Sequence, residues 1–300
     1  FQVAANYQGS TANTVSPSKS AAGKAAAATA QAIVDANAGK NDYEKLLAYR
    51  DYICGAVTYN HTAANNNSFS SNSDPWQIIY VFDGNTSTNV VCEGYSKAFK
   101  YLCDLSTFSD PTFACYLVTG WMQGGTGAGG HMWNIVTLAG RNYMLDLTNT
   151  DTGTIGAGGE LFLTGSTNTI SNEFTLNYSN GTQQVVTRNG YRFPCAGGTY
   201  IDFYYDEETV ALWDSSILTL ANTSFEPVML CDAYGHRYVG DSCSVCGSTL
   251  ASHSGSCGTN VTWSLDENGK LTISGTGAMY DFGNIGVPWD PYCERIKTVE

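Results

Sequence analysis

Along the first hundred residues the apolar positions repeat with the period of helices. Between Ala21 and Ala38 alanine dominates (KAAAATAQAIVDANAG), which predicts a helix by intrinsic propensity, ending at Gly39. Asn41 or Asp42 can cap a second helix whose buried side comes from Tyr43, Leu46, Leu47, Tyr52, Ile53 and Val57. A polar, Asn-rich loop is expected from His61 to Ser73. The stretch Asn89–Leu105, NVVCEGYSKAFKYLCDL, opens on two β-branched residues, Val90 and Val91. It continues with apolar residues at Tyr95, Ala98, Phe99, Leu102 and Leu105, the spacing of a helix with one buried face. Beyond it the period changes. Strands are predicted at Pro111–Met122, in HMWNIVTLAG from His131, in RNYMLDLTNTD from Arg141, and at Leu161–Thr164, Phe174–Tyr178, Gln183–Thr187 and Tyr200–Tyr205. Helices followed by antiparallel strands predict an α+β domain. Residues Phe1 to Ser20 are polar and are expected to be irregular.

This pattern puts Cys92 at a helix N-terminus, where unpaired backbone N–H groups and the helix dipole favour an anion, hence a thiolate. A thiolate nucleophile needs a base. His131 follows the glycine-rich run GGTGAGG (Gly124–Gly130), which is expected to form a mobile loop suited to a lid or to a plain connection. If the two strands after it form a hairpin with a four-residue loop, Thr137 to Gly140, Val136 pairs with Arg141. His131 then lies directly opposite Asp146, within reach of an imidazole–carboxylate hydrogen bond. A two-residue turn at Gly140–Arg141 would separate them.

Composition narrows the function classes. The net charge of −13 argues against nucleic acid and anionic membrane surfaces as partners. No run of eighteen apolar residues is present, so no transmembrane helix is predicted. Of 10 cysteines, Cys54, Cys103 and Cys115 fall in apolar patterns and read as buried thiols, while half of the total crowd the last seventy residues. There, CDAYGHRYVGDSCSVCG offers Cys231, His236, Cys243 and Cys246 around one CxxCG knuckle. A Cys₃His set fits a structural zinc ion, and disulfides in an exported protein fit the same cysteines. The final stretch Cys257–Phe282 alternates around a turn at Glu267–Gly269 and predicts a β-hairpin.

The segments VVCEGYSKAF, HMWNIV and YMLDLTNTD resemble the Cys, His and Asp motifs of the transglutaminase-like superfamily, a branch of the papain-like cysteine enzymes. LLAYRDYICGAVTYN (Leu46–Asn60) and DPWQIIYVF (Asp74–Phe82) resemble the segments that precede that cysteine. The resemblance covers about Tyr43 to Asp151, roughly a third of the chain. It departs from the family at Asn149, where a Trp often follows the Asp. The resemblance implies a papain/transglutaminase-like core, with the cysteine-bearing helix packed on an antiparallel sheet. It also implies a Cys92–His131–Asp146 triad acting on peptide or glutamine amide carbonyls, with no catalytic cofactor. Gln77 is the candidate oxyanion donor, with Trp76 as its competitor, and Trp121 and Trp133 are candidates for the substrate surface. The end of the chain resembles the lead-in to leucine-rich repeats of bacterial surface proteins, which implies an extracellular or cell-surface location. The expected organisation is a lead-in (1–40), a catalytic domain (41–225), a cysteine-rich knuckle (226–255) and a β-rich cap-like segment (256–300). The competing reading is a non-catalytic adhesin or binding module that keeps the enzyme fold.

Overall fold

The computed structural model describes residues 8–11, 13–14, 16–66, 78–124, 127–151, 161–195, 198–207, 215–227, 229–231, 238–239, 242–243, 245–247, 253–266, 268–283 and 286–300. They fall into two compact units, Phe1–Met229 and Leu230–Glu300. Both mix helical turns or helices with strands in the α+β manner.

In the first unit, helix α1 spans Pro17–Asn37, so the expected irregular lead-in gives way to helix four residues before the alanine run. Proline is well placed in a first helical turn because the N–H it lacks would have no partner there. Helix α2, Asp42–Ala56, is fixed at its start by a capping box: the Asn41 side chain accepts from the Glu44 N–H and the Glu44 carboxylate from the Asn41 N–H. Its first turn also carries Asp42, which is buried. That carboxylate accepts the backbone N–H groups of Ser109 and Asp110, and Lys45 donates to the Thr107 carbonyl. Strand β1, Thr58–Tyr59, pairs in parallel with β2, Asn89–Val90. Between them His61–Asn66 forms the short helix α3 in what reads as a polar loop.

Helix α4, Cys92–Leu105, buries Tyr95, Ala98, Phe99, Leu102 and Cys103, and its outer face carries the i,i+4 pairs Glu93–Lys97 and Lys100–Asp104. It packs on a sheet of β3 (Ala114–Gly124), β4 (Gly127–Leu138), β5 (Arg141–Leu145), β6 (Thr169–Asn177), β7 (Gln183–Cys195) and β8 (Thr199–Tyr205). The strand order is β5-β4-β3-β8-β7-β6, and every pairing in it is antiparallel. Val118, Trp133, Ile135, Phe193, Ile201 and Phe203 form the centre of a core on this sheet.

Three sequence expectations are corrected here. The glycine run is strand over most of its length: Trp121 pairs with Gly130, Met122 with Gly129, and Gly124 with Gly127. Side-chain-free residues are compatible with strand when the neighbouring chain supplies a complete ladder, and β3 does. The β4–β5 hairpin turns in two residues, Ala139 and Gly140, both at positive φ (50° and 70°), a type I′ turn whose twist matches its strands. The turn is held from outside, by Asp110 accepting the Ala139 N–H and Thr112 Oγ1 accepting the Gly140 N–H. Leu138 therefore faces Arg141, and the register differs by two residues from the four-residue-loop expectation. Leu161–Thr164 makes a single bridge, Thr164 to Met144, in place of a strand.

In the second unit, β9 (Tyr238–Val239) and β10 (Ser242–Cys243) form a short hairpin. A four-stranded sheet follows in the order β11 (His253–Gly258), β12 (Val261–Leu265), β13 (Lys270–Gly275), β14 (Thr298–Val299). Its core is Cys257, Val261, Trp263, Leu265 and Leu271. The expected β12–β13 hairpin is present, its turn pinned by Asp266 Oδ1 accepting the N–H groups of Asn268 and Lys270.

Candidate active site

Cys92 is the first residue of α4 and is half-buried. The preceding N-cap residue, Val91, offers no side-chain cap; its carbonyl accepts the Gly94 N–H (2.9 Å), and Cys92 stands at the positive end of the helix. The helix is fastened to the sheet close to that end. Ser96 Oγ donates to the Met132 carbonyl (2.9 Å), and buried Asn134 Nδ2 donates to the carbonyls of Ser96 (3.1 Å) and Tyr116 (3.2 Å). These bonds link the cysteine's helix to the strand that carries His131.

His131 is buried, its ring between Trp133 (centroids 6.0 Å apart) and Phe203 (5.8 Å). Its Nε2 lies 2.9 Å from Asp146 Oδ2. Because Asn134 faces Leu145, it is Trp133, not His131, that lies level with Asp146. His131 meets the carboxylate diagonally, which is possible because a two-residue shift leaves a side chain on the same face of the sheet. Cys92 lies close enough to the imidazole to favour its charged form, while Nε2 is the nitrogen turned to Asp146. Burial by itself pushes the imidazole toward its neutral form. The Asp146 charge and hydrogen bond, with the nearby Cys92, together outweigh it and lift His131 to about 10.

Asp146 is fully buried and has several partners. It is the N-cap of the short helix α5, Leu147–Thr150, with Oδ1 accepting the Thr148 N–H (3.1 Å). Its Oδ2 accepts Asn149 Nδ2 at 2.6 Å in addition to the His131 bond. Asn149, the residue at which the chain departs from the resembled motif, thus holds the carboxylate. It also donates to Met122 Sδ. The sequence does carry one signal for this contact, since a residue three positions past an N-cap Asp folds back over it.

Two further side chains escaped the sequence reading. Tyr95 Oη donates to buried Asp151 at 2.6 Å, tying α4 to the chain just after α5. Tyr59, level with Val90 in the parallel β1–β2 pair, has its hydroxyl ionisation pushed up by burial and by the nearby Cys92 and Asp146, which places it at the edge of the site. Among the other expected residues, Trp133 is corrected: it is 0 % exposed and packs inside the core under His131, so it offers no surface to a substrate. Trp121 is half-buried on β3 against Phe174. Gln77, Trp76 and His236 lie outside the described residues. In the second unit the sulfur atoms of Cys231, Cys243 and Cys246 all lie within 4.8 Å of one another, a set able to hold a metal ion. Among the described residues, no helix is long and apolar enough to cross a membrane.

No protein-family model matches the sequence, and no characterised protein does. A solved structure described as the crystal structure of a TGase matches with a TM-score of 0.34 and 19% identity, over 46% of this chain and 35% of that one. The chain thus spans about a third of that structure, and a likeness so slight decides nothing about activity.

Proposed function

We propose that the first unit is a cysteine acyl-transfer enzyme with a transglutaminase-like core, acting on the amide carbonyl of a peptide bond or a glutamine side chain. Cys92 is the nucleophile, His131 its base and then the acid toward the leaving amine, and Asp146 the orienter of the imidazole. The observation that supports this most is one line of groups. It runs from a half-buried thiol on the first residue of a helix, past the imidazole of His131 beside it, to a buried carboxylate 2.9 Å from that ring's Nε2. A purely structural histidine has no need of a thiol partner at a solvent-reached helix end.

In the proposed cycle the Cys92 sulfur adds to the carbonyl carbon while its proton rests on His131. The oxyanion that forms is met by the Cys92 backbone N–H, with Gln77 as the candidate second donor and Trp76 as its competitor. Collapse of the adduct expels the amine, which takes the proton from His131 and leaves a thioester on Cys92. Water or a second amine then gives up a proton to His131 and attacks the thioester. The C–S bond breaks, the acid or new amide leaves, and the Cys92 sulfur takes the proton back from His131. This chemistry needs no cofactor. The test is incubation with a panel of glutamine-containing peptides and amine donors, with hydrolysis and cross-linking read separately by mass spectrometry. Iodoacetamide at about pH 6 should alkylate Cys92 ahead of the other cysteines. A Cys92 that resists the reagent, or a Cys92→Ala chain as active as the parent, would sink the enzyme reading and leave a binding module.

A further inference from the structure

We infer that the second unit contains a structural zinc site built on the thiolates of Cys231, Cys243 and Cys246. This goes beyond the acyl-transfer reading and does not depend on it. Three sulfur atoms from two separate chain segments meet within 4.8 Å. Cys231 contacts both of the others, and the Cys231–Cys243 separation is 3.5 Å. A tetrahedral ion with Zn–S bonds of about 2.3 Å holds its sulfurs about 3.8 Å apart, so the cluster has nearly the dimensions the ion requires. A disulfide would use two of the three and gives no reason for the third to converge.

The backbone around the CxxC pair supplies a second, independent indication. The Val245 N–H points at Cys243 Sγ (3.4 Å), the Gly247 N–H closes on the Cys243 carbonyl (2.8 Å), and Gly247 sits at φ +71°, where a side chain would be strained. An N–H aimed at a sulfur stabilises that sulfur as an anion, which is the form a metal needs and a buried apolar cysteine does not. The site also meets a need. The strands that present Cys243 are two residues each, too short to be stable as an isolated hairpin, and binding energy at the cluster becomes folding energy for them. Thiolates are soft ligands, and among abundant divalent ions they favour zinc over magnesium or calcium.

The full chain should be prepared from zinc-supplemented medium without chelator and its metals measured by elemental analysis. One zinc per chain is expected, released by a thiol-blocking mercurial. Replacement by cobalt should give the thiolate-to-metal absorption and intense visible bands of a tetrahedral sulfur site. Cys246→Ser should lose the metal, whereas Cys293→Ser, an exposed cysteine of the same unit outside the cluster, should keep it. Because loss of a ligand also threatens folding, the cobalt spectrum of the unaltered chain carries the test by itself. Three outcomes would overturn the assignment: a metal-free chain with a disulfide between two of the three cysteines, a metal-free chain with three reactive thiols, or zinc that survives Cys246→Ser.

Discussion

The most informative residue is His131, because opposing effects act on it within one ring. Burial between Trp133 and Phe203 disfavours its charge, while Asp146 at 2.9 Å and the neighbouring Cys92 favour it, and the favourable set wins. The consequence for stability has a definite sign. A histidine titrating near 6.5 in the unfolded chain and at about 10 in the folded one contributes its full stabilisation below about pH 6.5. That contribution declines as pH rises and is gone above about 10. The melting temperature of the parent should therefore exceed that of His131→Gln most on the acidic side, with the gap closing toward pH 10. A gap that stays constant over this range would mean a neutral imidazole and would remove the ion-pair description of the site.

At the scale of elements, the hairpin that carries His131 and Asp146 shows how much of the site the sequence disclosed. The residue types and their order were readable, because a helix-period pattern starts at Cys92 and period-2 patterns start at His131 and Arg141. The register was not. It depends on Asp110 and Thr112, twenty-five or more positions upstream of the turn they hold, and no local pattern reports that contact. The tryptophan beside the histidine was misread for a related reason: an aromatic on a strand next to a site looks like a contact surface until the opposite strand is placed. Gly120 makes that placement possible. It pairs with His131, and a Cβ on it would come 1.9 Å from the Tyr204 carbonyl and 2.8 Å from the Trp133 ring. Gly120→Ala should consequently cost at least about 1–3 kcal/mol and move β8 or the Trp133 ring, disturbing the packing under the imidazole. Chemical denaturation checks the stability loss, and a parent-like midpoint would mean that β3 and β8 are less closely apposed than described.

At the scale of the whole molecule, the bonds that assemble the candidate site among the described residues lie before Met229. The Ser96–Met132 and Asn134–Ser96 fastenings, the His131–Asp146 pair, the Asn149 and Thr148 contacts to Asp146 and the Tyr95–Asp151 bond are all inside the first unit. That unit has a core of its own on the six-stranded sheet, and the second unit has a separate one around Trp263. Groups that share no partners affect stability and reactivity additively. A chain ending at Met229 should therefore fold cooperatively, and its Cys92 should react with iodoacetamide within a factor of about two of the rate in the full chain. Met229 itself is the residue to retain, since its sulfur accepts the Tyr143 hydroxyl at the edge of the first unit. The measurement is the alkylation rate at Cys92, followed by peptide mass mapping beside a thermal unfolding curve. A truncated chain that melts as before but loses the selective reactivity would show that the second unit acts on the thiol. One that fails to melt cooperatively would show that the first unit's core needs support from beyond Met229.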